Sequence, residues 1–285
     1  MSLRTIIVTG SNQGIGYGIV EAILKKSLPY KIIVCSRDQT RGTQAIDSLI
    51  KKYPSSAQNL DLGILDITST ESRANFKNWF TEKYQKADIL FNNAGILYRL
   101  TTPETDYEQA AKTMTTNFDC TIQFTQDMLP HVTDNGKVLF MASCCGLFAY
   151  QEMPESLQKL FVEENLTLES LMALKDQYLC DVKNGLGGEK GWAKWEYGMT
   201  KLFVQVACKI LGKTQGILDR KIQFYSMHPG VITTNMNGFN EDYKPVDEGV
   251  VSAMHCIEKS FGVIDSKEQG GYFDCDATFM ELHRK

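Results

Sequence analysis

With 285 residues, 43% of them hydrophobic and 22% charged, the chain has the length and composition of an ordered globular protein with one substantial core. A net charge of −4 gives no electrostatic reason to expect nucleic acid or an anionic membrane surface as a partner. The eight cysteines are scattered, Cys144 and Cys145 are adjacent, and no pair has CxxC or zinc-ligand spacing, so reduced thiols, no metal and a cytoplasmic location are expected.

The opening MSLRTIIVTGSNQGIG runs straight into a glycine loop without a cleavage-site pattern, so it reads as a first strand and not as a signal peptide. No stretch approaches the roughly 20 apolar residues of a membrane span. Thr5 to Thr9 is a predicted strand, followed by a helix from Ile15 to Lys26, a strand from Lys31 to Cys35 and a helix from Gln39 to Lys52. A strand over Leu60 to Asp66, a helix over Glu71 to Tyr84 and a strand over Asp88 to Phe91 come next. One long helical stretch then runs to about Leu129, and Gly136 to Ala142 is another strand. Later elements are a helix around Gly198 to Leu211, a strand from Ile222 to Met227 and a last strand near Gly271 to Cys275.

Short Val- and Ile-rich runs separated by helices imply parallel strands with right-handed crossovers. The expected fold is therefore an α/β doubly wound, Rossmann-type parallel sheet, as one domain over residues 1–285. Residues 150–191 break the alternation, since connections usually take about two to six residues. Leu168, Leu171, Met172, Ala173, Tyr178, Leu179 and Val182 form an apolar helical face, so this segment reads as an ordered helical insertion packed on the domain surface.

In Thr9-Gly10-Ser11-Asn12-Gln13-Gly14-Ile15-Gly16 a glycine-rich turn joins the first strand to a helix. Glycine lets backbone approach a pyrophosphate, and a helix N-terminus offers unpaired N–H groups and a positive dipole end. Gly10, Asn12, Gln13, Gly14, Ile15 and Gly16 are therefore candidate cofactor contacts. The second strand ends in Cys35-Ser36-Arg37-Asp38, where an NAD site usually carries a carboxylate. Arg37, with Arg41 one helical turn on, suits a 2′-phosphate and points to NADPH. Asp38 reads as the N-cap of the following helix, although a carboxylate there could also serve NAD.

Asn92-Asn93-Ala94-Gly95 after the fourth strand, Asn117, Ser143, and Tyr197-Gly198-Met199-Thr200-Lys201 complete an ordered set with the glycine loop. Together they resemble the short-chain dehydrogenase/reductase superfamily along nearly the whole chain. The closer resemblance is to the monomeric NADPH-dependent carbonyl reductases, through SRDQTRG, the TNF around Asn117 and the insertion before Tyr197. Related plant reductases of terpenoid and alkaloid ketones share that insertion. In the group it covers the helix face used for dimerisation, which implies a monomer. The resemblance also implies cofactor contacts at Asn93, Ala94, Gly95, Tyr197, Lys201, Pro229, Gly230, Val231 and Thr233. It sets Asp66 and Ile67, at the end of the third strand, beside the adenine, and gives Asn117 a water-linked proton path through Lys201.

The chemistry can also be derived directly. Hydride reaching a carbonyl carbon leaves an alkoxide that needs a positioned acid. Tyrosine, with pKa near 10, is too weak an acid alone, and Lys201 on the same helical face would lower it. Ser143 would hydrogen-bond the substrate oxygen as charge develops. The catalytic candidates are thus Asn117, Ser143, Tyr197 and Lys201, with Ser143 and Tyr197 touching substrate. Each has a plain structural alternative: Ser143 as a strand-end cap, Asn117 as a helix-interior hydrogen bonder, Lys201 as a solvated charge.

Residues 231–245, loop-like from Thr234 to Pro245, are expected to form a substrate lid. Several positions depart from the group: Gln13 for Lys, Met227 and His228 for cysteines in some animal enzymes, Val231 for Trp, and Cys144 and Cys145 after Ser143. The pocket is therefore relined, with His228 as a wall or hydrogen-bonding residue. The expected activity is reduction of aldehydes, ketones or quinones. Alternatives are a dedicated terpenoid, alkaloid or steroid dehydrogenase, and a non-catalytic NADP(H) sensor.

Overall fold

The computed structural model describes residues 3–98, 104–236, 240 and 242–281. Among the described residues, eight strands form one sheet in the order β3-β2-β1-β4-β5-β6-β7-β8. They are β1 (Arg4–Val8), β2 (Tyr30–Ser36), β3 (Leu60–Ile64), β4 (Ala87–Asn92), β5 (Val132–Met141), β6 (Gln223–Met227), β7 (Gly271–Phe273) and β8 (Phe279–Met280). The first seven pair in parallel, and β8, absent from the sequence expectation, returns antiparallel to β7. At two residues, β8 is too short to carry a recognisable alternation.

Strand side chains alternate between two cores. Ile7, Ile33, Leu90, Val138 and Phe140 face one of them, together with α3 (Thr70–Tyr84), α4 (Asp106–Met114), α5 (Cys120–Met128) and α9 (Glu196–Gly212). Ile6, Val8, Ile32, Val34, Phe91 and Leu139 face the other, under α1 (Gly14–Lys25), α2 (Gln39–Lys52) and α11 (Val251–Glu258). Burial on both faces explains why these strands read as continuous apolar runs. Lys137, fully buried within β5, donates from Nζ to the carbonyls of Cys256 and Ile257 at 3.0 and 2.7 Å, occupying acceptors at the C-terminus of α11.

The long helix expected before Leu129 is interrupted. Between α4 and α5 the backbone widens into a π turn over Thr115–Asp119, and Asn117 lies within it. No glycine or proline marks the spot, so the sequence carried no break signal.

Residues 150–191 contain the end of α6 (Cys144–Glu152), then α7 (Glu155–Val162) and α8 (Leu168–Lys183). The segment goes deeper than a surface layer: Phe161, Leu171 and Tyr178, with the adjoining Trp192, are buried and continuous with the core under α4 and α9. Of the expected apolar face, Leu171 and Tyr178 are buried, Leu168, Met172, Leu179 and Val182 half-buried, and Ala173 exposed. Two polar ties fix it. Asp181 accepts from Trp192 Nε1 at 2.8 Å and Gln177 Nε2 at 3.0 Å, and Lys175 pairs with Asp119 of the π turn at 3.3 Å. A short helix, α10 (Gln215–Asp219), precedes β6.

Candidate active site

The carboxyl ends of the parallel strands gather most of the residues singled out above, as expected where a doubly wound sheet reverses its strand order between β1 and β4. Gly10 has φ +62°, and a Cβ there would stand 3.1 Å from Ala94 Cα; Gly16 lies so close to the neighbouring loop that a Cβ would meet Asn93 Nδ2 at 2.5 Å and Gly10 O at 2.8 Å. Thr9, which the sequence reading passed over, joins the two loops: its Oγ1 accepts from Asn93 N and Ala94 N, both at 2.9 Å. Asn93 Nδ2 donates back to Thr9 O at 2.8 Å, so this side chain braces the turn.

Gln13 is the N-cap of α1 but makes no side-chain capping bond, and the first turn holds no acidic residue. With Asn12, Gln13, Gly14 and Ile15 it leads into a helix start whose N–H groups are not capped by its own cap residue, an arrangement that fits a pyrophosphate.

Arg37 is exposed at the end of β2. Asp66 and Ile67 lie in the turn beyond β3, which ends at Ile64, a correction to the expected strand end. The cause is a local turn: Asp66 Oδ1 accepts from Thr68 N at 2.9 Å and from Thr68 Oγ1 at 2.7 Å, and Asp66 N donates to Ser72 Oγ. Against the cost of burial, those bonds and the Arg37 charge hold the Asp66 carboxyl below its ordinary range. Asp38 takes the N-cap role, accepting from Arg41 N at 2.8 Å, while the Arg41 guanidinium stands 3.7 Å from the same carboxylate. Ribose binding by Asp38, the alternative reading, would compete with that cap.

The second half of the site comes from α6 and α9. These helices cross closely because Gly146 and Gly198 have no side chains. A Cβ on Gly146 would meet Leu202 N at 2.7 Å, and one on Gly198 would meet Cys145 O at 2.8 Å. The crossing brings Ser143 to Tyr197. Ser143 is the N-cap of α6, accepting from Cys145 N at 3.2 Å, so the structural reading of this residue is realised. Its hydroxyl also lies against the Tyr197 phenol. Gln205, another residue missed in the sequence, donates to Ser143 O at 2.9 Å and fixes its backbone.

The Tyr197 ring is half-exposed, whereas burial of its hydroxyl pushes the phenol above its ordinary range, with the Ser143 hydrogen bond acting downward. Lys201 is buried, with Nζ 5.4 Å from the Tyr197 ring centroid and donating to Met141 O at 2.8 Å. Burial lowers its pKa to about 8. It is thus a buried group and not a solvated charge. Cys145 adjoins this pair, and Trp195 packs on Tyr197 with ring centroids 5.5 Å apart.

Asn117 is buried, and its amide is fully engaged: Oδ1 accepts from Ile96 N at 2.7 Å and Nδ2 donates to Ile96 O at 2.9 Å. Gly95 stands between it and the lysine, since a Cβ there would lie 3.0 Å from Asn117 Oδ1 and 3.9 Å from Lys201 Nζ.

Beyond β6, Pro229 and Gly230, the latter at φ +90°, turn the chain, and Val231 is exposed. Thr233 N donates to Lys244 O at 2.9 Å and Lys244 N to Val231 O at 3.1 Å, so the two ends of the expected lid are pinned together. Its residues 237–239 and 241 lie outside the described residues. Thr234 returns over the glycine loop, 3.8 Å from where a Cβ on Gly14 would be.

The chain has relatives in both sequence and structure. A family model described as short chain dehydrogenase matches residues 4–155, more than half of the chain. Carbonyl reductase (NADPH) 1 of Rattus norvegicus is 30% identical over 251 residues, 87% of this chain and 88% of the rat protein. Its counterpart in Sus scrofa is 32% identical over 237 residues, 82% and 80% of the two chains. Salutaridine reductase from Papaver somniferum has the same fold, with a TM-score of 0.78 at 21% identity over 95% of this chain and 99% of its own. By the ordered motifs, the strand-end geometry and the family match, this chain belongs to the short-chain dehydrogenase family.

Proposed function

We propose that the protein is an NADPH-dependent carbonyl reductase that converts aldehydes, ketones or quinones to alcohols, with Tyr197 as proton donor. The reading rests above all on one arrangement: Ser143, Tyr197 and Lys201 meet across the α6–α9 crossing, beside the loop carrying Asn93 and Gly95. The NADPH-dependent carbonyl reductases of rat and pig, about a third identical in sequence, support it.

When bound, NADPH supplies the hydride for the carbonyl carbon. The turn from Gly10 to Gly16 would hold the pyrophosphate on N–H groups that Gln13 leaves uncapped, and Arg37 and Arg41 would meet the 2′-phosphate. Asp66 and Ile67 would flank the adenine; Asn93, Ala94 and Gly95 would contact the cofactor, and Pro229, Gly230, Val231 and Thr233 would lie on its nicotinamide side. Ser143 Oγ donates to the substrate oxygen, and Tyr197 Oη delivers the proton to it. Lys201, in its ammonium form 5.4 Å from the Tyr197 ring, would offset the burial of the phenol by charge proximity and would hold the ribose. Asn117 keeps the loop at Ile96 in place beside that lysine and supports its proton path.

A second reading, a dedicated reductase of one terpenoid, alkaloid or steroid ketone, rests on the relining of the site by Cys144, Cys145 and Val231. The chain acts as a monomer and a single domain, a reading supported by the packing of α8 over α4 and α9. The test is a spectrophotometric assay of nicotinamide oxidation with NADPH, then NADH, against a panel of quinones, aldehydes and ketones. Turnover of several substrates with NADPH supports the broad reductase, and one efficient substrate supports the dedicated enzyme. NADPH binding without any turnover sinks both and leaves a sensor. Sedimentation checks the monomer.

A further inference from the structure

Outside the catalytic group, three chemically different ligands converge at the ends of β6 and β7. His228, Asp274 and Cys275 each offer one ligating atom, and the three atoms lie within 4.8 Å of one another, the one such trio among the described residues. Their meeting follows from topology. β6 and β7 are parallel with Met227 opposite Phe273, and His228 N donates to Phe273 O at 3.0 Å, so His228 and Asp274 leave the sheet side by side. Cys275 is set by a tight turn: its N–H donates to Asp274 Oδ1 at 2.7 Å, and Asp274 N donates to Thr278 O at 2.8 Å. The Pro229–Gly230 turn lies against it, with 3.5 Å from a Cβ on Gly230 to Cys275 Cβ.

One nitrogen of the imidazole also lacks a partner. His228 is only 6% exposed, and its Nδ1 is buried without a hydrogen bond. A buried polar atom left in this way is expensive unless something else satisfies it. The backbone of the residue is nevertheless held in place, because Ser252 Oγ donates to His228 O at 2.8 Å.

We propose that His228, Asp274 and Cys275 form a zinc-binding site with an open fourth position. A mixed nitrogen, sulfur and oxygen set suits this borderline-soft ion, whereas magnesium and calcium favour oxygen alone. In a tetrahedral site with the usual zinc–ligand lengths, ligand atoms stand about 3.3–3.8 Å apart, so atoms within 4.8 Å of one another need to close by about 1.5 Å at most. Two of its members sit in a half-buried turn at the sheet edge, where side chains can make that adjustment. Sequence spacing held no zinc pattern because the ligands come from two separate strand ends.

The test uses the metal-stripped full-length protein, titrated with Zn²⁺ against a chromophoric chelator and with Co²⁺ as a spectroscopic probe. Expected are about one bound equivalent, a thiolate-to-cobalt charge-transfer band, and a melting temperature raised by Zn²⁺. Cys275→Ser should remove that band, weaken Zn²⁺ by about a hundredfold or more and cancel the thermal shift. Asp274→Asn should weaken Zn²⁺ as well. Cys180→Ser, at the exposed cysteine of α8, should change none of these readouts. His228→Gln removes the buried ligand; should that variant fail to fold, the two turn variants still decide. Undiminished Zn²⁺ affinity in Cys275→Ser, or a cobalt complex lacking the thiolate band, overturns the site.

Discussion

At the β1–β4 side of the sheet's carboxyl edge the working surface is mostly backbone. Thr9 and Asn93 join two loops through N–H and C=O groups, and Gly10 and Gly16 let those loops approach where a side chain would clash. At the β5–β7 side it is mostly side chains: Ser143, Tyr197 and Lys201, and beyond them His228, Asp274 and Cys275. The first region presents fixed dipoles to an anion and depends on tight loop packing. The second depends on protonation states, which burial shifts. One consequence is that the first should respond to added volume and the second to pH and to the loss of single functional atoms.

The sharpest test removes one oxygen. Tyr197→Phe should lower turnover by about 10²–10⁴-fold while leaving NADPH binding nearly intact, measured by steady-state kinetics and fluorescence titration. Residual activity within tenfold of the parent would sink the acid assignment.

Next in size is a packing change that asks whether the insertion belongs to the core. Leu171→Ala, at a fully buried position of α8, should cost about 2–5 kcal/mol in urea unfolding, as core truncations do. A surface layer would lose far less, within about 0.5 kcal/mol.

The volume argument is tested at two glycines. Gly16→Ala forces a methyl into Asn93 and the Gly10 carbonyl, so about 1–3 kcal/mol of stability should go, together with NADPH binding. Gly216→Ala, in α10 with nothing near its Cβ, should be neutral or stabilise by about 0.5–1 kcal/mol. Equal effects at the two sites would break the contrast.

Arg37→Ala should weaken NADPH by about 1–3 kcal/mol and leave NADH little changed, read as the ratio of KM values. An equal loss for both cofactors would remove the 2′-phosphate contact.

The smallest effect is the pH slope. Burial disfavours the Lys201 ammonium and brings its pKa down to about 8, so the charged form that assists Tyr197 is present below that value and lost above it. In the reductive direction kcat/KM should therefore hold below about pH 8 and fall by about tenfold per unit above it. Lys201→Arg, which stays charged, should move that break upward in whatever activity remains. A profile flat to pH 10 would refute this role for the lysine.

Much of this architecture was legible in the chain because the relevant signals are local. Short continuous apolar runs such as Lys31 to Cys35 and the helix from Gln39 to Lys52 were placed to within a residue of β2 and α2. Asp38 could be read as a cap because capping is settled within a few residues. Thr9 and Gln205 escaped notice for the opposite reason: their bonds reach across the chain to Asn93 and Ser143. The interruption at Asn117 was equally silent, since the bonds that engage this side chain come from Ile96 on another segment.

What the amino-acid order determined by itself was the succession of strands and helices, the glycine turn and the set of chemically competent residues, all encoded in short-range periodicity and turn chemistry. Only the tertiary structure decided which of those residues meet. The α6–α9 crossing through Gly146 and Gly198 sets Ser143 against Tyr197. The parallel pairing of β6 with β7 carries His228 to Asp274 and Cys275, and the docking of α8 turns an insertion into core. The physical reason is common to all three. Contacts between distant segments depend on strand order and on how closely backbones can approach, and no local pattern in the chain records either.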